Sequence, residues 1–449
     1  MLKLLWLSDY GRNVNTGYAT VSRNLIRQLK EIYGNKLVID VVAINYFDEQ
    51  YWEYDETVLV TSAMLGPGGR ANPASEAERH KFGLLHFLWK YRNQEYDGVF
   101  MLQDLGVLAP AVANMRKIDE EKRKFKLPVI PKIIYFPVDG PIQTEVLNAE
   151  FDEEKYKQLP ANEKHLFSKY IRPLDALTYF TKAVTFTEYG FNQVLRQTKP
   201  EMQRNISCRL RIIPHGIDQL GFYPVQDHIK AHYRPILFQK NADKFIVGVI
   251  NRNQPRKEIP TAISGFIEAK KNWPPGLPPP FLYLHMTPVD SEGWNLPVLM
   301  AQTNLVEGVD YMYSKGEVDI LTLNHIYNCI DVYLSTASGG GWELTVTEAM
   351  ACRVPCIIPA HTSLKEQGAD GERAWMLDEL LPVCNHTENI WRKGCHFDQV
   401  AEMIIEVAIA KRDNESIYQA RINSAYKWAT GLNWEDIAQQ WSRIFEEIF

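Results

Sequence analysis

Three stretches hold residues whose types and spacing could do chemistry. In "STASGGGWELTVTEAMACRVPCIIP" (335–359), three glycines run into Glu343 and, five residues later, Glu348. A glycine turn that opens a helix presents backbone N–H groups to an anion. In "INRNQPRKE" (250–258), Arg252, Arg256 and Lys257 follow an apolar run. Cations delivered at the end of a buried strand suit a diphosphate, although a solvated turn has the same composition. In "SDYGRNVNTGYATVSRNL" (8–25), Gly11 and Gly17 lie between an apolar strand and an amphipathic segment. This loop is neither G-x-G-x-x-G nor G-x-x-x-x-G-K-[ST], which argues against a dehydrogenase and a P-loop nucleotidase.

Each of these residues also has a purely structural reading. Thr345 reads as a helix N-cap, with Glu348 three residues on completing a capping box. Asp139, in "YFPVDGP" (135–141), could accept a proton or stabilise a developing positive charge, and could equally start a Pro/Gly turn. His215, in "IIPHGID" (212–218), reads as a structural or ligand-lining histidine rather than a base.

The elements that must position these groups alternate. Strands are expected at 2–9, 36–45, 97–104, 131–139, 183–188 and 208–216, with an amphipathic helix at 17–34. The pattern restarts with strands at 244–252, 281–287, 309–314, 331–336 and 355–360, and a helix at 258–273. Strands spaced by helices indicate parallel βαβ units. Residues 223–243 read as the linker, and 64–83 and 143–174 as insertions. The tail is helical, with Trp428, Trp434 and Trp441 expected on one packed face.

A chain of 449 residues suggests two domains, and its 45% apolar content can bury a core in each. The formal charge of −6 does not advertise nucleic acid, though a cleft can still be locally basic. Six scattered cysteines, with no CxxC pair, read as thiols in a reducing compartment and not as zinc ligands. The N-terminus reads as a first strand and not as a signal peptide, and no segment is apolar over the roughly 20 residues of a membrane span.

Six motifs then occur in order: the Gly loop (11–17), "TFTEYG" (185–190), "IIPHGID" (212–218), "NRNQPRK" (251–257), "GWELTVTEAMACRVPCI" (341–357) and "GLNWEDIAQQW" (431–441). Together they resemble a GT-B glycosyltransferase of the large retaining, nucleotide-sugar-dependent group often called family 4. The resemblance covers nearly the whole chain. It implies an α/β fold of two Rossmann-like doubly wound domains facing a central cleft. Residues 1–225 would bind the acceptor, 240–428 the nucleotide sugar, and the helix 429–449 would cross back to the first domain.

The resemblance implies a cytoplasmic hexosyl- or pentosyltransferase that moves a sugar from a nucleotide-diphosphate sugar, UDP-sugar foremost, to an acceptor hydroxyl with retention. No cofactor or metal would be required, and no Asp-x-Asp pattern is present. Arg252 and Lys257 would hold the donor diphosphate, with Gly17 approaching from the other domain. Glu348 would bind the ribose, the amides around Leu344 and Thr345 would face phosphate or sugar, and Gly341 and His215 would line the donor. Asp139 would be the catalytic carboxylate, standing where the family usually has a histidine. The family also has an acid at the position of Gly340 and a glycine at that of Glu343, so Glu343 is a candidate for the missing sugar contact.

The acceptor reads as a glycan or small molecule. The flavour of 17–18 and 137–141 also resembles enzymes encoded by large phages, some of which modify hydroxymethylated DNA bases. Arg70, Arg79, His80, Lys81, Lys164, Lys169 and Arg172 could supply the basic surface such an acceptor needs. The missing acid at Gly340 leaves a non-catalytic sugar-nucleotide-binding protein as an alternative, and an epimerase of the same fold as another.

Overall fold

A computed structural model of the chain describes residues 1–63, 84–142, 173–314, 317–385 and 390–449. The expected insertions fall almost wholly outside the described residues, and with them Arg70, Arg79, His80, Lys81, Lys164, Lys169 and Arg172. The chain divides into two compact units. The first is Met1–Val138, Ile142–Gly216 and Trp434–Phe449; the second is Asp139–Pro141 and Ile217–Asn433.

The first unit is built on eight strands: β1 (Leu2–Asp9), β2 (Leu37–Ile44), β3 (Tyr51–Glu53), β4 (Val58–Ser62), β5 (Gly98–Leu102), β6 (Lys132–Phe136), β7 (Lys182–Thr185) and β8 (Leu210–Ile212). Their order is β3-β4-β2-β1-β5-β6-β7-β8, parallel throughout except for β3 against β4. Strands such as "LVIDVVAI" are nearly continuous in apolar residues because both faces are covered. The order reverses between β1 and β5, so the loop leaving β1 sits at a topological switch point. There Gly11 has φ +130°, and an added Cβ would lie 2.5 Å from the Tyr46 ring. Thr16 caps the helix Gly17–Tyr33 by accepting from the Ala19 N–H at 3.2 Å, and its own hydroxyl donates to Asp9 at 2.5 Å. Residues 51–62 carry two strands that the sequence pattern did not disclose.

One face of this sheet is covered by the final helix, Trp434–Ile448. Trp441 meets the rings of Phe100 and Tyr135 edge-on at 5.0 and 4.9 Å, and Phe100 stacks on Trp6 at 3.8 Å. The expected single tryptophan face does not form. Trp428 lies near the end of the helix Glu415–Thr430 in the second unit, while Trp434 opens a new helix in the first. The break at Gly431–Asn433 ends the helical register that the spacing assumed.

In the second unit β9 (Phe245–Ile250), β10 (Pro280–His285), β11 (Tyr311–Tyr313), β12 (Val332–Leu334), β13 (Cys356–Pro359) and β14 (Trp375–Leu377) form a parallel sheet ordered β11-β10-β9-β12-β13-β14. A separate antiparallel hairpin pairs β15 (Leu380–Asn385) with β16 (Ile390–Cys395). Ile259, Phe266, Val400 and Ile404 belong to one apolar core, and Tyr327, Val346, Met350 and Ala425 to another. The segment expected to be a linker instead carries the helix Asp227–Phe238. Tyr233 stacks on His325 at 3.8 Å and Phe238 is fully buried, so packing overrides a mixed composition. The order reverses between β9 and β12, which places the ends of both strands at this unit's switch point.

Replacing Trp441 by Ala should remove the ring on which Phe100 and Tyr135 close. A loss of about 3–5 kcal/mol of unfolding free energy is expected by urea titration, the usual range for a buried Trp→Ala change.

Candidate functional site

The chain leaves β9 as Asn251–Lys257 and leaves β12 as Ser335–Glu343, so the two cation- and glycine-rich stretches emerge side by side. Backbone and hydroxyl groups lock them together. The Ser338 N–H and hydroxyl donate to the Arg256 carbonyl at 2.7 and 3.2 Å. Thr336 donates to the carbonyls of Lys257 and Glu258 at 3.1 and 3.0 Å. Asn253, fully buried, donates to Trp294 O at 2.7 Å and accepts from the Trp294 N–H at 3.0 Å, pinning the middle of the first loop.

At the centre is Glu343. One carboxylate oxygen takes the Lys257 ammonium in a short ion pair, and the other accepts from Arg256 Nη1 at 3.3 Å. The side chains of Lys257 and Glu343 are only 7% and 4% exposed. Arg256 also donates to the Gly339 carbonyl at 3.1 Å. Burial pulls the Lys257 ammonium down to about 8, with the Glu343 charge opposing and that of Arg256 adding to the fall. Burial pushes the Glu343 carboxyl up, but Lys257 and Arg256 together outweigh it and hold it below its ordinary range. At neutral pH the cluster therefore carries two positive charges and one negative, a net attraction for an anion.

Arg252, read with Lys257 as a clamp, stands elsewhere. It is 55% exposed and paired with Asp290 and Glu292 at 3.3 and 3.2 Å. The structure brings Arg256, not Arg252, to Lys257.

Glu343 is also the N-cap of the helix Leu344–Ala351, without a side-chain capping bond. The capping box centred on Thr345 is thus corrected: Thr345 is already the second helical residue. The helix starts earlier because Glu343 accepts the Val346 and Thr347 amides through its carbonyl, at 3.2 and 3.4 Å. The amides of Leu344 and Thr345 are the first of the helix, the ones that lack an acceptor inside it. The Thr345 hydroxyl shares a 2.7 Å bond with Tyr333 and donates to Asn251 at 3.5 Å. Glu348 accepts from Tyr327 Oη at 2.7 Å. Burial pushes its carboxyl up to about 7, with the Tyr327 bond opposing.

The glycine run explains its own composition. An added Cβ at Gly340 would lie 2.4 Å from Glu343 Oε1, and one at Gly339 would lie 2.1 Å from the Asp139 carbonyl. Gly341 is buried beside them. Asp139 is held by Arg392, which donates to its carbonyl at 2.8 Å and to its carboxylate at 3.3 Å.

Arg392 carried no signal in the sequence, since it comes from β16, more than 130 residues beyond Lys257. His361 and Ser363, after β13, were also missed. Their position at the end of a third parallel strand was the available clue. Gly17 and His215 belong to the first unit. Gly17 opens the first helix and is exposed. His215 is buried between Tyr135 and Phe186, bonded to Tyr135 Oη at 2.8 Å, and burial lowers it to about 3, so its ring is neutral.

No protein-family model matches the chain, and the search of curated proteins found no match. Solved structures do resemble it. Sucrose-phosphate synthase from Thermosynechococcus elongatus superposes with a TM-score of 0.66 at 16% identity, covering 100% of this chain and 99% of its own. The alpha,alpha-trehalose 6-phosphate synthase from Burkholderia multivorans gives 0.67 at 10%, covering 100% and 97%. Anabaena HepE, solved in complex with UDP and glucose, gives 0.61 at 12%, with 100% of both chains covered. These likenesses establish the GT-B fold. Among the described residues no helix is long and apolar enough to cross a membrane.

Two stability measurements test this arrangement. Glu343→Gln leaves the Lys257 ammonium buried without its counter-ion and should lower unfolding free energy by about 3–5 kcal/mol, whereas Arg252→Ala should change it by less than about 1 kcal/mol. For Glu348, the folded carboxyl binds its proton more tightly than the unfolded one. Stability should therefore fall as pH rises from about 4.5 to about 7 and level off above. Urea titrations should show Glu348→Gln gaining on the wild type by on the order of 2 kcal/mol between pH 5 and pH 8.

Proposed function

We propose that this protein is a glycosyltransferase that moves a sugar from a nucleotide-diphosphate sugar, a UDP-sugar first of all, to an acceptor hydroxyl. The observation that carries the reading is the cationic cluster of Lys257 and Arg256 on Glu343, set at the switch point beside the first amides of the Leu344–Ala351 helix. A leaving diphosphate needs charge stabilisation at the moment the glycosidic bond breaks. Preorganised cations and helix amides in a buried site supply it with little reorganisation. With that neutralisation in place the reaction needs no divalent metal.

Lys257 and the amides of Leu344 and Thr345 would take the phosphates, with Gly341 letting the backbone approach. Arg252, on the same loop, is free to turn from Asp290 and Glu292 toward them because its head is in solvent. Glu348 would accept from the ribose hydroxyls, a role that favours its ionised form. Glu343 would act on the donor through Lys257, fixing the ammonium where the phosphate arrives. Asp139, positioned by Arg392, would stabilise the positive charge that develops on the sugar or take the acceptor proton. Retention of configuration, an acceptor site in residues 1–225, and the parts assigned to Gly17 and His215 rest on the sequence resemblance alone.

Nucleoside-diphosphate release should be measured with UDP-, GDP- and ADP-sugars against glycans, small alcohols and duplex DNA carrying hydroxymethylated bases. Wild type should turn over one donor class, and Lys257→Ala should lower kcat/KM by about 100-fold or more. Equal turnover by the two proteins would remove Lys257 from the clamp. Tight nucleotide-sugar binding without release, over the whole panel, would replace the enzyme by a binding protein.

A further inference from the structure

The segment that follows β13, His361 and the first turn of the helix Thr362–Gly368, holds two polar atoms that no described residue satisfies at normal hydrogen-bond geometry. His361 is 5% exposed and Ser363 is 0% exposed. Among the described residues neither His361 Nε2 nor Ser363 Oγ, both buried, has a hydrogen-bond partner of normal geometry, only the Ala337 backbone acting on the ring. A buried polar atom left unpaired costs about 1–3 kcal/mol, and native chains keep few of them without a reason. Between the two, Thr362 is held at φ +49°, in the left-handed region that a β-branched residue rarely adopts. Three unfavourable features in three consecutive residues point to a loop shaped for something outside the chain.

Its surroundings identify what that is. The Ser363 N–H donates to the Gly340 carbonyl at 3.3 Å, so the loop lies directly on the glycine run. The charges acting on the His361 ring are those of Lys393, Arg392 and Glu343, the last two being groups of the site already described. Burial and the Lys393 charge together lower the ring to about 4, against the backbone of Ala337 and the charge of Glu343, so it is a neutral imidazole at working pH.

The Nδ1 atom is engaged with Thr362 Oγ1 at 3.2 Å. If Nδ1 donates there, Nε2 is an acceptor; if it accepts, Nε2–H is a donor. A ligand hydroxyl can answer either form, and a charged group answers only one.

We infer that His361, with Ser363 beside it, reads a hydroxyl of the donor's sugar, the recognition left open where Gly340 has no side chain and Glu343 is committed to Lys257. This rests on the nucleotide-sugar reading above. It adds a specificity residue outside the cationic cluster and predicts a donor sugar that presents a neutral hydroxyl to this loop.

The test separates sugar from nucleotide. Binding of UDP, GDP and ADP, and of their glucose, mannose and N-acetylglucosamine conjugates, is measured calorimetrically for wild type, His361→Ala and His361→Gln. The affinity of the free nucleotide should stay within about twofold in all three. The preference among sugar conjugates should fall about tenfold in His361→Ala and return in part in His361→Gln, whose amide can reach the Nε2 position.

An unchanged sugar preference in His361→Ala, with nucleotide still bound, would overturn the inference and leave the nucleotide-sugar reading standing. Equal losses for free nucleotide and conjugate, or failure of both variants to fold, would show a structural ring and overturn it as well. No binding of any nucleotide by the wild type would bring down both.

Discussion

The buried carboxylate of Glu343 is stabilised from two sides, by the Lys257 ammonium and by the Arg256 guanidinium, while its backbone carbonyl caps the helix Leu344–Ala351. Lys257 and Arg256 come from the loop after β9, and Glu343 from the loop after β12, the two strands between which the sheet order reverses. At such a point neighbouring loops diverge to opposite sides and leave a crevice between them. Here the ion pair and the hydrogen bonds of Thr336 and Ser338 join the two loops directly. A buried charge pair adds little net stability relative to an apolar pair, but removing one partner is severe. Its effect is therefore to fix which conformation the two loops adopt.

The geometry around Gly340 follows from that constraint. Glu343 Oε1 occupies the space that a Cβ at position 340 would need. The glycine and the glutamate are one feature, since a larger residue at 340 would collide with the Glu343 carboxylate. Ser338, one turn earlier, is tied to the Arg256 carbonyl, and Gly339 is packed against the Asp139 carbonyl and Arg392. Ser338, Gly339 and Glu343 are each tied to Arg256 or Lys257 on the loop after β9.

Much of this was legible in the sequence. Strands and helices announced themselves through apolar runs and 3.6-residue periodicity, because parallel strands covered on both faces cannot be anything but apolar. The glycine run and the cationic loop were legible as neighbours, and the structure sets them side by side at the ends of β9 and β12. What could not be read was pairing. Arg252 and Arg256 are four residues apart with the same charge. Only the fold sends one to Asp290 and Glu292 in solvent and the other to Glu343. Arg392 reaches Asp139 across 253 positions, a separation no local pattern records. Thr345 failed as a cap because a capping box is defined by spacing alone, while the actual helix start is set two residues earlier by the Glu343 carbonyl. Asp227–Phe238 failed as a linker because its helix is held by packing on His325 and not by propensity.

The two loops at the switch point and the neighbouring segment after β13 differ in how fully their polar groups are answered. In the loop after β9, Asn253 and Lys257 are satisfied within the protein. In the loop after β12, Glu343 is satisfied, while the first amides of its helix look outward by the geometry of a helix end. After β13, His361 Nε2 and Ser363 Oγ are enclosed and unanswered among the described residues. Neutral groups that are already paired hold a shape and gain little from a new hydrogen bond, which must replace an old one, whereas a paired ammonium such as Lys257 still attracts an anion through its charge. Unanswered groups gain the full bond on binding and lose it again with a ligand that lacks the matching atom. In the reading proposed above, rigidity lies where charge must be held in place, and discrimination where hydrogen bonds are still to be made.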